Sequence, residues 1–189
     1  MPGAVLFELF RVVLDHLIHG LPDREPPLSD GITVYPGLSF DRNYRVARGN
    51  IAGQAPPRGP LLIAEESLQR GFADPADGAN VLVHELAHFF DREARKSGAK
   101  FPDRAAGAVP WGEILEREWR EHDHGASILP PYAAQNESEF FAVASEAFFE
   151  IPGRLQAAHP GLFAMLREFY QQDSRAVLNG GEPGAGRRQ

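Results

Sequence analysis

The stretch from Ala79 to Phe90 constrains this chain more than any other. Ala79, Leu82, Val83, Leu86, Ala87 and Phe90 recur at i, i+3, i+4, i+7, i+8 and i+11, the spacing of one apolar helix face. The same stretch carries His84, Glu85 and His88. Two histidines four apart stand one helical turn above another, as two imidazoles sharing a tetrahedral ion require. At about 100° per residue both point well off the apolar stripe, which argues against ordinary core histidines. Glu85, next to the first histidine, can reach a metal-activated water without ligating the metal, which is the position of a general base. The chain has no cysteine, so thiolate sites are excluded and any zinc must be held by His, Asp or Glu. Zinc with three protein ligands keeps a water and lowers its pKa to about 7, supplying hydroxide at neutral pH.

A third ligand must come from elsewhere: an acidic residue, or one of His16, His19, His122, His124 and His159. Asp91 shares the histidine face but sits a turn beyond His88 on a short side chain, which suits a supporting or capping role better than ligation. Asn136 to Glu150 reads as a strong helix with Phe140, Ala144, Ala147 and Phe148 on its core side and Glu139, Glu146 and Glu150 on another face. Three carboxylates on one stripe repel unless they are solvated or share a cation, and Asn136 with Glu139 also has the form of a capping box. Helical geometry leaves Glu139 and Glu146 both open as the ligand. The run Glu121, His122, Asp123, His124 is a weaker metal candidate, since alternating charges near a helix end are usually solvated.

Around this pair of helices the chain supplies smaller pieces. Val5 to Ile18 is an amphipathic helix interrupted by Glu8, Arg11 and Asp15, so neither a signal peptide nor a membrane span is expected. Ile32 to Tyr35, Tyr44 to Val46 and Pro60 to Ala64 read as short strands, with a Gly/Pro-rich turn from Gly49 to Gly59. Gly98 is a plausible helix stop. Glu113 to His122 is a charged helix with Ile114, Leu115 and Trp119 as its apolar contacts, Pro152 ends the Asn136 helix, and Leu162 to Tyr170 is the last helix. With 19 basic against 26 acidic side chains the net charge is -7, which disfavours direct contact with nucleic acid or an anionic membrane. The location expected is cytoplasmic.

Several separated blocks then agree, in order, with one known family. They include Val34-Tyr35-Pro36, Gly59-Pro60-Leu61-Leu62, Asn80 through Asp91, Tyr132-Ala133-Ala134, Glu139 through Phe149, and Phe169 through Asp173. Over about Ile32 to Ala176 the chain resembles the Mlc titration factor A family of zinc-dependent peptidases, related to the gluzincins. The resemblance implies that Glu139 is the third zinc ligand beside His84 and His88. It also implies that Tyr132, seven residues earlier, donates to the oxyanion while Glu85 acts as base. Family members carry a longer helical segment before the Tyr-Pro strand, so partner binding that belongs to that segment carries over least, and the zinc site does not depend on it.

The fold expected is α+β: a single zincin-like metallopeptidase domain over residues 1–178, with a small sheet packed on several helices. Residues 1–20 form its N-terminal helix and 179–189 a disordered tail. The function expected is hydrolysis of peptide bonds in a peptide or protein substrate. Substrate would lie extended along the strand near Pro60 to Ala64, and exo- and endopeptidase action, an aminopeptidase included, both remain open. The alternative is a zinc-containing docking module that binds a transcriptional repressor without significant proteolysis. A metal-free helical interaction domain is a further rival.

Overall fold

A run of four apolar residues cannot sit at the solvated edge of a sheet, and Leu61-Leu62-Ile63-Ala64 lies at the centre of this one. The computed structural model describes residues 31–37, 51–95, 111–122 and 127–178. Within them β1 (Ile32–Tyr35), β2 (Gly53–Gln54) and β3 (Leu61–Ala64) form one sheet in the order β1-β3-β2. β1 runs parallel to β3, from Ile32 opposite Leu61 to Tyr35 opposite Ala64, and β2 runs antiparallel to it. Alternation along β3 sends Leu61 and Ile63 into the main core and Leu62 and Ala64 towards Tyr35 and Ile51 on the other face. This corrects one expectation: β3 is paired on both sides, so no substrate strand can add to it. Among the described residues the edges belong to β1 and β2.

β3 passes directly into α1 (Glu65–Ala73), whose first turn carries Glu65 and Glu66, the charges that a helix N-terminus favours. Next come α2 (Val81–Arg95) and α3 (Trp111–His122). A 3-10 turn over Pro131–Gln135 leads into α4 (Glu137–Glu150), followed by α5 (Pro152–Ala158), α6 (Pro160–Tyr170) and α7 (Ser174–Leu178). The architecture is α+β, mostly helical with a small sheet. The helix expected from Asn136 does not present one apolar face: every residue from Phe140 to Phe148 is buried, as is Glu150. It is the central helix, apolar nearly all round, with α2 along one side and α6 along another. Tyr170 stacks on Phe148 at 5.7 Å, and its hydroxyl donates to Ser145 Oγ at 2.8 Å. Ser145 in turn donates to the Phe141 carbonyl, which satisfies both buried hydroxyls.

Sequence reading missed α1, β2, α5 and α7. Pro152 does more than end α4: after the bend at Ile151 it opens α5 from a first-turn position, as Pro160 does for α6, where the missing N–H costs nothing. Ile114, Leu115 and Trp119 of α3 do contact the core. The expected helix over residues 1–20, the strand Tyr44 to Val46, the stop at Gly98 and the tail 179–189 lie outside the described residues. No described helix is long and apolar enough to cross a membrane.

Candidate metal centre

The N-terminus of α2 is fastened before its histidines are presented. Asn80 accepts from Leu82 N at 3.1 Å and Val83 N at 3.3 Å, the bonds of an N-cap. Its own N–H donates to Glu146 Oε2 at 2.7 Å, and its side-chain amide donates to Glu150 Oε1 at 2.9 Å. Gly78 N and Ala79 N donate to Glu150 Oε2. Two carboxylates of α4 thus sit at the positive end of α2. Neither is solvated, and the repulsion expected along the glutamate stripe is relieved by these donors.

This anchoring sets α2 and α4 side by side and turns three acceptor atoms towards one point. His84 Nε2 lies 3.0 Å from Glu139 Oε2 and 3.1 Å from His88 Nε2, and His88 Nε2 lies 3.4 Å from Glu139 Oε2. A tetrahedral ion with bonds of about 2.0 Å would separate its ligands by about 3.3 Å, so the trio fits such an ion. The outer nitrogens reinforce the fit. His84 Nδ1 donates to Glu146 Oε1 at 2.5 Å. Ser138 gives its hydrogen to Asp91 Oδ2 at 2.8 Å and therefore accepts from His88 Nδ1 at 3.0 Å. With Nδ1 of each ring committed as a donor, Nε2 is the atom left to give its lone pair to an ion among the three, as a ligating histidine does.

The charge balance of the metal-free chain agrees. Burial alone would lower the pKa of His84, but the carboxylates of Glu139 and Glu146 outweigh it and hold it up to about 10. Burial would raise the Glu139 carboxyl, yet hydrogen bonds from His84 and His88 keep it well below the usual range. The proton shared among these atoms is what a metal ion would displace. Glu85 is only 6% exposed. Burial raises its pKa, opposed by the charges of His84 and His88 and by the main-chain N–H of Ala55. Tyr132, on the 3-10 turn, is 45% exposed, its ring 6.0 Å from that of His84. Its pKa is raised to about 12 by burial and by the negative charge of the nearby Glu139.

His84, Glu85, Tyr132 and Glu146 line one cavity of about 970 Å³, bounded across from α2 by Ile51 to Gln54. His84, His88 and Glu139 thus come together, with Glu85 and Tyr132 beside them, while Glu146 lies behind His84 and Asp91 behind Ser138. The other histidine candidates do not join. His122 contacts the Pro130 carbonyl, His159 contacts Glu118 and Ser127, and His16, His19, Asp123 and His124 lie outside the described residues. Ser138 was missed, because a lone serine in a helix's first turn has no signature beyond capping.

Residues 17–171 match the sequence model of the glucose-regulated metallo-peptidase M90 family. The chain belongs to the M90 family. Relatives include Mlc titration factor A of Pectobacterium atrosepticum, 31% identical over 67% of this chain and 50% of that protein. The proteins of the same name from Escherichia fergusonii and Escherichia coli O139:H28 are 32% and 33% identical, over 76% and 72% of this chain. These alignments take in 56% and 52% of the respective proteins, so the chain spans about half the length of the curated relatives it matches. The resemblance read from the sequence is borne out. The cluster able to hold a metal ion lies within the part of the chain that matches the M90 family.

Proposed function

We propose that the chain is a zinc-dependent metallopeptidase with a zincin-like site of the gluzincin kind. His84, His88 and Glu139 hold the metal, Glu85 is the general base and Tyr132 is the oxyanion donor. One observation carries the reading: two carboxylates near the same histidines have different surroundings. Glu139 converges with both imidazoles, while Glu85 stays outside that trio, buried, and faces the cavity. Two imidazoles and one carboxylate at tetrahedral spacing form a donor set that suits zinc. Bound there, zinc supplies a Lewis acid and lowers the pKa of water towards 7.

The chain's own groups do the rest. Glu85 accepts a proton on its carboxylate and delivers it to the leaving amine, and its upward-shifted pKa suits a group that must carry a proton both ways. Tyr132 offers its hydroxyl to the carbonyl oxygen of the scissile bond, where negative charge develops. The substrate peptide extends along the edge strand β2, which borders the cavity, and takes main-chain hydrogen bonds from it. Purified protein should carry about one zinc per chain and cut members of a mixed peptide library, with cutting abolished by chelator.

The second reading is a zinc-containing module that docks on a transcriptional regulator in the cytoplasm without significant proteolysis. It is favoured by the name of the relatives, Mlc titration factor A. Against it, a structural zinc site is normally closed by a fourth protein ligand, and among the described residues none joins the three. Full zinc occupancy with no cleavage of any library would make the docking module the better account.

A further inference from the structure

The segment that crosses α2 beside Glu85 is held from an unexpected quarter. Arg92 Nη1 donates to the Ala55 carbonyl at 2.7 Å and Nη2 to the Pro56 carbonyl at 3.4 Å. Seven residues separate Arg92 from Glu85, so both project from the same face of α2, about two turns apart. Between them the chain from Gly53 to Pro56 passes against the Glu85 side chain. The fit there is close. A Cβ on Gly53 would stand 2.6 Å from both Cγ and Oε1 of Glu85 and 2.8 Å from Val81 Cγ2. The strand therefore meets Glu85 through bare backbone, and Arg92 holds the carbonyls that follow directly after it.

We infer that Arg92 is a positioning residue for Glu85: by clamping the Ala55 and Pro56 carbonyls it holds the backbone that starts at Gly53 against the carboxylate and so sets where that carboxylate points. The inference rests on the reading of Glu85 as general base. A guanidinium suits the task because its planar fork reaches two carbonyls at once, whereas an ammonium offers compact donors on a flexible stem. Substrate need never touch Arg92. Its influence on turnover passes through this short backbone segment, whose displacement by a fraction of an ångström moves the base off line.

The test compares Arg92→Gln, Arg92→Lys and Gly53→Ala with the unsubstituted full chain, each loaded with zinc. Arg92→Gln should speed amide hydrogen exchange at Ala55 by at least ~10-fold and lower kcat by ~10-fold, with zinc affinity by chelator competition unchanged within about two-fold. Arg92→Lys should recover part of both losses. Gly53→Ala should lower kcat with zinc retained, because the new methyl group collides with Glu85. In a Glu85→Gln background, Arg92→Gln should leave residual turnover unaltered, whereas a merely structural role would lower it again. Unchanged exchange at Ala55 in an active Arg92→Gln protein would overturn the clamp, as would additive losses in the double substitution. Absence of hydrolysis by the unsubstituted protein would instead remove the assignment of Glu85 as base, and the positioning role with it.

Discussion

Glutamates that differ little as residues differ sharply in what surrounds them, and the residue-scale predictions follow from those surroundings. Glu139 Oε2 faces two imidazole nitrogens, so Glu139→Gln removes a charged donor and should cost more than ~100-fold in zinc affinity, the upper end for a supporting residue. Glu146→Gln should cost less, within about 10–100-fold, because its oxygen can still accept from His84 Nδ1. Its amide nitrogen would face the Asn80 N–H, however, so some stability is lost too. Chelator competition ranks the two, and the reverse order would refute the assignment of Glu139. Glu85→Gln should keep zinc and fold but lower turnover by about 10²-fold or more, since the amide is nearly isosteric and cannot take the proton. Tyr132→Phe should lose less turnover, with zinc nearly unchanged, because the proposed role of its hydroxyl is as one of two oxyanion stabilisers and it is no member of the metal trio. Steady-state kinetics on one peptide would order them, and undiminished turnover in Glu85→Gln would place the hydrolysis elsewhere.

At the scale of elements, the junction of α2 and α4 rests on Glu150. Burial and the nearby Asp77 push its carboxyl up to about 7, against the donors Asn80, Gly78 and Ala79 that draw it down. A carboxyl whose pKa rises on folding binds more protons folded than unfolded between its two pKa values. Its contribution to stability is therefore full at low pH and declines as pH rises through about 7. Glu150→Gln removes this dependence. It also sets an amide donor against either Asn80 Nδ2 or the two main-chain N–H groups, so it destabilises at all pH values. Denaturant titrations of both proteins should show a penalty that shrinks from about pH 5 to about pH 8. A penalty that grows over that interval would contradict the raised pKa. Gly78 takes a φ of 87°, a left-handed conformation that delivers its N–H to Glu150 and that side chains other than glycine rarely adopt.

For the molecule as a whole, the proposed metal ties α2 to α4, and α4 is the helix around which the others pack. A ligand that binds only the folded chain adds about 4 kcal/mol at a thousand times its Kd, so chelation should lower Tm by several degrees. Zinc should restore Tm and magnesium, which prefers octahedral oxygen sites, should not. A Tm indifferent to chelator would count against a metal bridge between the helices. How much of this was legible beforehand differs from part to part. The local order of residues determined that Val81 to Arg95 is a helix, that His84 and His88 stand on one face, and that Glu85 sits beside them, because helical periodicity is a property of neighbours. Resemblance singled out Glu139, which helical geometry alone left level with Glu146. Only the tertiary structure decided what each glutamate meets, that β3 is an inner strand, that α4 is buried from Phe140 to Phe148, and that Ser138 and Asp91 stand behind His88. Those relations join residues distant along the chain, and a spacing rule cannot reach across two elements whose packing is fixed only when the whole core closes.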